Sequence, residues 1–170
     1  MIIWITGLPG SGKTTIARKL KCILQSKISN NIVLLDGDNI RSILPYEVSY
    51  ANEERIKLAH FYSKLALLIE SSNCMVICSF VALFNNVREY TRRMANDYYE
   101  IFLDPSLNDL IKKNKKGLYN DKSEYMLNQF NKHEFPQNPE LRLNTIVNGV
   151  YHDHLDEIKE EIFKRMTITE

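Results

Sequence analysis

Cysteine, proline and glycine are scarce in this sequence, and neither sign of charge dominates it. Its 170 residues include three cysteines, five prolines and six glycines, with 22 basic and 21 acidic side chains. An odd, small set of cysteines excludes a disulfide-stapled scaffold and favours buried thiols over a zinc site. The charge balance gives no indication of a nucleic-acid partner. No apolar run is long enough to span a bilayer, so we expect no membrane partner either.

The start of the chain has no feature of an export signal. Met1–Ile5 is apolar, but no basic segment precedes it and no cleavage site of small residues follows it. Unpaired thiols are typical of reducing compartments. We therefore predict a cytoplasmic protein and interpret MIIWIT as a buried first strand.

Apolar runs alternate with amphipathic stretches along the chain. We predict strands in MIIWIT, NIVLLD, CMVICSF, YYEIFLD and, last, NTIVNG, and helices in KTTIARKLKCILQS, NEERIKLAHFYSKLALLIES, NVREYTRRMAND and HLDEIKEEIFKRM. This alternation predicts one α/β domain over residues 1–170, with a parallel sheet covered by helices on both faces. The polar stretch 107–144, rich in Lys and Asn, predicts a helix followed by a mobile lid.

The stretch GLPGSGKTT fits the P-loop pattern, a Gly, four residues and then Gly-Lys-Thr, placed between a predicted strand and a predicted helix. Its glycines allow backbone N–H groups to surround phosphate oxygens, and the helix N-terminus adds a positive dipole end. Lys13 is expected on the β- and γ-phosphates and the Thr14 hydroxyl on Mg²⁺. The alternative is an ordinary Gly-rich turn. We predict ATP with Mg²⁺, bound by Gly7, Leu8, Pro9, Gly10, Ser11, Gly12, Lys13, Thr14 and Thr15.

Two carboxylates flank a glycine in LLDGDNIR, at the end of the second predicted strand. A turn at Gly37 would bring Asp36 and Asp38 toward the phosphates. A kinase requires one carboxylate near Mg²⁺ and one near the acceptor hydroxyl. Arg41, one helical turn further on, is expected to bind an anionic acceptor. The alternative is a simple Asp-Gly turn with a helix cap at Asp38 or Asn39.

Six motifs, GLPGSGKTT, LDGDNIR, CSF, IFLD, KGLY and NPELRLNT, occur in the same order as in adenylylsulfate kinases, which this chain resembles from Gly7 to Thr145. The resemblance implies a P-loop kinase fold, a homodimer, and transfer of the γ-phosphate of MgATP to the 3′-hydroxyl of a nucleotide. It implies that Asp38 is the catalytic carboxylate, acting with Lys13 and Asp36. It also implies that Thr14 and Asp36 hold the metal.

The same resemblance implies which residues bind the acceptor. Phe80 resembles the aromatic residue that stacks on the acceptor, with core packing as the alternative, and Arg88 matches an arginine that holds its 5′ phosphates. The implied acceptor-binding residues are Asp38, Arg41, Arg55, Phe80, Val81, Arg88, Lys116, Gly117, Leu118 and Tyr119.

The departures from the family fall on the acceptor side, while the donor loop and both aspartates are intact. Arg55 stands in place of an asparagine, Ala82 in place of a serine and Asn120 in place of a lysine, and YMLNQFNKHEFP replaces the Phe-x-Gly-Ile-Asp lid. This asymmetry favours a different acceptor nucleotide. A relative of the family phosphorylates cytidine diphosphoramidate for capsule synthesis, and we favour that acceptor. The alternatives are adenylyl sulfate, a metabolite such as a sugar acid, or a nucleotide-binding sensor without kinase activity.

Overall fold

Five parallel strands form the central sheet of the computed structural model, which describes residues 1–28, 31–49, 51–113 and 133–168. The strands are β1 (Ile2–Gly7), β2 (Ile32–Asp36), β3 (Met75–Ser79), β4 (Tyr98–Leu103) and β5 (Leu141–Leu143). They lie in the order β2-β3-β1-β4-β5, with every pair parallel. This confirms the predicted α/β fold.

Helices follow the strands along the chain. They are α1 (Lys13–Lys27), α2 (Gly37–Ile43), α3 (Asn52–Glu70), α4 (Asn85–Met94), α5 (Leu107–Lys113) and α6 (Leu155–Ile168). None of the helices in the described ranges is long and apolar enough to cross a membrane.

The strand predicted in NTIVNG does not belong to the central sheet. β5 lies earlier, and an antiparallel ribbon follows, formed by β6 (Ile146–Val147) and β7 (Val150–Tyr151). The two residues between them, Asn148 and Gly149, have φ of 52° and 80°. An Asn-Gly pair at positive φ favours a tight hairpin turn, which folds this apolar run back on itself.

The core lies on both faces of the sheet because β1 is buried from end to end. Ile2 and Trp4 pack in the cluster that includes α3 and Val87 of α4, whereas Ile3 and Ile5 pack in the cluster that includes α1 and α6. Alternate side chains of a strand point to opposite faces, so a continuous apolar run is the pattern of a doubly covered strand.

The connections of the sheet determine where a ligand binds. β1 and β3 are neighbours in the sheet, but their connections run in opposite directions. The connection from β1 leads to β2 at one edge, and the connection from β3 leads to β4 toward the other edge. A crevice forms outside the carboxyl ends of strands where the direction of connection reverses. The P-loop follows β1 and Asp36 ends β2, so both motifs lie at this edge.

Candidate active site

The loop from β1 to α1 has the backbone of a phosphate cradle. Gly10 and Gly12 have φ of 81° and 100°, which residues with side chains rarely adopt. Lys13 is buried and donates hydrogen bonds from Nζ to the carbonyl oxygens of Gly7 (2.9 Å) and Leu8 (2.8 Å). No described side chain caps the N-terminus of α1, so its first N–H groups remain for a phosphate.

Two residues near the end of the chain support this loop. The Thr145 hydroxyl donates to the carbonyl oxygen of Ser11 at 2.6 Å. The Tyr151 ring packs against Gly12 so closely that a Cβ added to Gly12 would lie 2.5 Å from Tyr151 Cε2. Lys113 Nζ lies 4.1 Å from the centroid of the same ring. Neither Thr145 nor Tyr151 is recognisable as a P-loop support from the sequence, because no spacing relates them to a loop more than a hundred residues away.

Asp36 connects the P-loop helix to α2. Its Oδ2 accepts a 2.7 Å hydrogen bond from Thr14 Oγ1, and its Oδ1 accepts from the backbone N–H groups of Asp38 (3.1 Å) and Asn39 (3.4 Å). Asp36 is therefore the N-cap of α2, and neither Asp38 nor Asn39 is. Thr14 and Asp36 together present two hard oxygen atoms beside the phosphate cradle, which fits a Mg²⁺ ion that keeps phosphates and waters as its other ligands.

Asp38 and Arg41 lie on the exposed side of α2. Arg41 Nη2 lies 2.6 Å from Asp38 Oδ1, and the side chain of Asp38 is 64% exposed. The Asp38 carboxylate is therefore accessible from solvent while it contacts Arg41. The structure brings together the two residues that the sequence assigned to the acceptor hydroxyl and to an anionic acceptor.

Arg55, at the start of α3, lies beside the described end of the predicted lid. Its Nη2 is 3.4 Å from Nδ1 of His133, and its guanidinium lies 5.5 Å from the centroid of the Phe84 ring. Burial and the charges of Arg55 and Lys13 lower the pKa of His133 from its ordinary value of 6.5 to about 4. His133 is therefore neutral near pH 7. Sequence analysis missed it, since a lone histidine in a polar stretch has no distinguishing pattern.

Phe80, for which the sequence left acceptor stacking and core packing open, lies in the core. It is only 1% exposed, stacks on Tyr62 with ring centroids 4.3 Å apart, and meets Trp4 edge-on. A Cβ added to Gly37 would lie 3.4 Å from the Phe80 ring. Phe80 thus supports the first residue of α2 from within the core, and no face of its ring is open to an acceptor.

Arg88, predicted to hold the acceptor's 5′ phosphates, lies in a buried ion pair. It is 4% exposed, and its Nε lies 2.9 Å from Oε1 of Glu100 on β4. Its guanidinium also donates to the carbonyl oxygen of Ala82 at 3.5 Å and to the Asn85 side chain. Burial lowers the pKa of Arg88, and the neighbouring Glu100 opposes that shift. Arg88 is a buried ion-pair partner that holds the loop after β3, and it does not reach solvent to bind the acceptor's phosphates.

The described end of the predicted lid packs on the body of the protein. The backbone N–H of Glu134 donates to the carbonyl oxygen of Leu83 at 2.9 Å, and the Phe135 and Phe102 ring centroids are 5.8 Å apart. Val81 is partly buried, and its carbonyl oxygen accepts from Thr6. The predicted acceptor residues Lys116, Gly117, Leu118 and Tyr119 lie outside the described residues, and the mobile lid stays a prediction.

Comparisons with known proteins find similar sequences over most of the chain. The sequence profile of the family described as adenylylsulphate kinase matches residues 1–144. A probable adenylyl-sulfate kinase of Aeropyrum pernix is 35% identical over 161 residues, which cover 90% of this chain and 87% of that protein. The cytidine diphosphoramidate kinase of Campylobacter jejuni is 40% identical over 118 residues, which cover 69% of this chain and 68% of that protein.

Solved structures agree with the fold. The APS kinase of Mycobacterium tuberculosis, solved in complex with AMPPNP and APS, matches with a TM-score of 0.74 at 26% identity. The match covers 98% of this chain and 96% of that one. The motif order, the sheet topology and the cradle geometry therefore point to one family.

Proposed function

Because this chain belongs to the adenylylsulphate kinase family, whose members are phosphotransferases acting on a nucleotide hydroxyl group, we propose that it phosphorylates the 3′-hydroxyl of cytidine diphosphoramidate. Family membership makes the chain an ATP-dependent, Mg²⁺-requiring kinase with the P-loop fold. The identity of the acceptor and the role of each residue are our proposal.

On the donor side, the P-loop and Lys13 bind the phosphates of ATP. The Lys13 ammonium, which lies on the carbonyl oxygens of Gly7 and Leu8, is placed to move onto the β- and γ-phosphates. Thr14 and Asp36 would hold Mg²⁺, which supplies neutralising charge to the transferring phosphoryl group when it is bound. The buried Ser11 Oγ has no hydrogen-bond partner among the described residues, as expected for a loop that completes its hydrogen bonds with a ligand.

On the acceptor side, Asp38 orients the 3′-hydroxyl and accepts its proton, and Arg41 binds an anionic group. An anionic acceptor that binds Arg41 competes with the 2.6 Å contact between Arg41 and Asp38. That competition frees the carboxylate for the hydroxyl. Asp38 therefore becomes available as a base when the acceptor arrives.

The choice of acceptor rests on one contrast: the residues of the family that bind the donor are intact in this chain, whereas those on the acceptor side are changed. Arg55, which replaces an asparagine of the family, lies against Phe84 in the loop after β3 and beside His133. The cytidine diphosphoramidate kinase of Campylobacter jejuni, at 40% identity, supports the cytidine acceptor. The probable adenylyl-sulfate kinase of Aeropyrum pernix, at 35% identity over a longer match, supports adenylyl sulfate as the second candidate.

A coupled ADP-release assay with MgATP tests the proposal. We would measure kcat/KM for cytidine diphosphoramidate and adenylyl sulfate in parallel, with gluconate as a sugar-acid control. At least a hundredfold preference for the cytidine compound is expected. A preference for adenylyl sulfate would assign the protein to sulfate activation, and slow ATP hydrolysis insensitive to every acceptor would indicate a nucleotide-binding sensor.

We further propose that residues 1–170 act as one kinase domain in a cytoplasmic homodimer. The unpaired Cys22, Cys74 and Cys78 are consistent with a reducing compartment. Oligomers occur among related folds, as in the hexameric APS kinase of Thiobacillus denitrificans. Light scattering at two protein concentrations would measure the assembly directly.

A further inference from the structure

His133 is held in one orientation and one tautomer. Arg55 has only donor groups, so the Nδ1 atom that lies 3.4 Å from its Nη2 must be the unprotonated, accepting nitrogen of the ring. The proton of the neutral imidazole is therefore on Nε2. The Phe135 ring meets the imidazole edge-on, with centroids 6.3 Å apart.

The Nε2–H group has no hydrogen-bond partner among the described residues, although the side chain is half-buried. A half-buried donor without a partner is costly unless a ligand or water completes its hydrogen bond. The imidazole is thus a neutral donor, fixed in direction.

Within the part of the chain that the structure describes, the charges that act on the His133 ring come from two elements and are both positive. Arg55 belongs to α3 and Lys13 to the P-loop, and both lower the pKa of the ring. The adjacent Glu134 carboxylate is engaged elsewhere, because it accepts from the backbone N–H of Asn85. The surroundings of the Nε2–H group therefore favour an anion.

The position of Arg55 and His133 indicates which anion they bind. Arg55 begins the helix that follows the Asp36–Asp38 segment, and its guanidinium packs on Phe84 in the loop after β3. These are the connections next to the exposed carboxylate of Asp38. The P-loop lies on another connection, between β1 and α1, and its Lys13 faces His133 from that side.

We propose that Arg55 and His133 together bind a phosphate oxygen on the 5′ side of the acceptor nucleotide, with the His133 Nε2–H as a specificity-determining donor. This inference rests on the proposed function, because it assumes a nucleotide acceptor. Arg55 supplies charge, and the imidazole supplies a directed donor that does not change charge near neutral pH. A phosphate oxygen of ATP offers the same chemistry, so the test must separate the donor nucleotide from the acceptor.

The test uses four variants of the whole chain. His133→Phe keeps a ring but loses the donor, and His133→Gln keeps an N–H group at the reach of Nε2. Arg55→Met removes the charge. His60→Phe is the matched control, since His60 is a partly buried histidine of α3 whose ring contacts Tyr90.

Binding is measured by titration calorimetry on protein saturated with MgADP, so that the donor site is filled. CDP and AMP are the probes that carry phosphate, and cytidine and adenosine are the matched probes without it. For whichever phosphate-bearing probe binds the wild type, His133→Phe should raise Kd about tenfold, which is the loss of one charge-assisted hydrogen bond. The nucleoside should bind all variants alike, His133→Gln should recover most of the affinity, and His60→Phe should match the wild type.

Several outcomes would overturn the inference. One is that His133→Phe binds the phosphate-bearing probe with the same Kd as the wild type. Another is that His133→Phe weakens binding of the nucleotide and of the nucleoside equally, because that result indicates a packing role. If the variants at Arg55 and His133 increased the Kd of MgATP alone, the two residues would belong to the donor site. Failure of CDP and AMP to bind the wild type would also overturn it. If no acceptor supports turnover, but His133→Phe still weakens binding of the nucleotide and not of the nucleoside, the proposed kinase reaction is rejected and the anion site is retained.

Discussion

Thr14 Oγ1 donates a 2.7 Å hydrogen bond to Asp36 Oδ2, and this bond joins the first turn of α1 to the cap of α2. One carboxylate thus faces the proposed metal site with one oxygen and fixes the helix that carries Asp38 with the other. Any change at Asp36 therefore has two effects that must be separated: one on Mg²⁺ and one on the stability of α2.

Two substitutions at Asp36 separate those effects. Asn is as good an N-cap as Asp, so Asp36→Asn should keep the stability of α2 while raising the Mg²⁺ concentration for half-maximal turnover at least tenfold. Asp36→Ala should lose the cap as well, at about 1 kcal/mol of unfolding free energy. Mg²⁺ titrations of activity and urea unfolding measure the two. An unchanged Mg²⁺ requirement in Asp36→Asn would exclude a metal-binding role.

Asp38 should matter for turnover and hardly for folding. Its side chain is 64% exposed and caps nothing, so Asp38→Asn should leave the unfolding free energy within about 0.5 kcal/mol of wild type. Loss of a general base typically lowers kcat by a factor of about 10² to 10⁴. ATP affinity, measured with a fluorescent analogue, should not change. If kcat were retained, Asp38 would not be the base.

The sequence was sufficient for the first four strands of the sheet and for the P-loop, because both depend on local patterns. An apolar run such as MIIWIT and the Gly-Lys-Thr of the loop specify a covered strand and a cradle without reference to the rest of the chain. The hairpin at Asn148 and Gly149 was also visible locally, as an Asn-Gly pair between apolar residues. It was missed because the apolar run was interpreted as one strand.

The acceptor side depended on contacts that no spacing encodes. Phe80 and Arg88 match family positions, but their burial is decided by Tyr62 and Glu100, which come from a helix and a strand elsewhere in the chain. The same applies to His133, whose setting depends on Arg55, 78 positions earlier. Such sites become recognisable only when the tertiary structure brings the partners together.

Arg88 should contribute to stability through its buried pair with Glu100. Arg88→Met leaves Glu100 buried and without its 2.9 Å partner, which costs about 3–5 kcal/mol of unfolding free energy. Arg93→Met, an exposed change on the same helix, should cost less than about 0.5 kcal/mol. The double variant Arg88→Met/Glu100→Met should recover part of the loss. Full stability of Arg88→Met, combined with a raised acceptor KM, would instead restore the acceptor-binding role.

Gly12 and Gly149 offer a matched pair of glycine substitutions. Both have positive φ, 100° and 80°, so an alanine is strained at either position by about 1 kcal/mol. Only at Gly12 would the new Cβ meet a rigid ring, 2.5 Å from Tyr151 Cε2, whereas the nearest atom at Gly149 is 3.8 Å away. Gly12→Ala should therefore abolish measurable MgATP binding, and Gly149→Ala should retain it. Equal ATP affinities of Gly12→Ala and Gly149→Ala would show that the Tyr151 ring moves to accommodate the new Cβ.

The depressed pKa of His133 predicts a specific pH dependence of stability. Burial, with Arg55 and Lys13 beside it, lowers the pKa from 6.5 to about 4. In the unfolded chain this histidine takes up a proton near pH 6.5, whereas the folded protein leaves it neutral until the pH approaches 4. Between these values the unfolded state binds more protons, so stability falls as the pH is lowered through this window. The wild type should therefore lose more unfolding free energy than His133→Gln between pH 7 and pH 4. Parallel curves for His133→Gln and wild type would mean that folding does not lower the pKa of His133, and that neither burial nor the charges of Arg55 and Lys13 act on its ring.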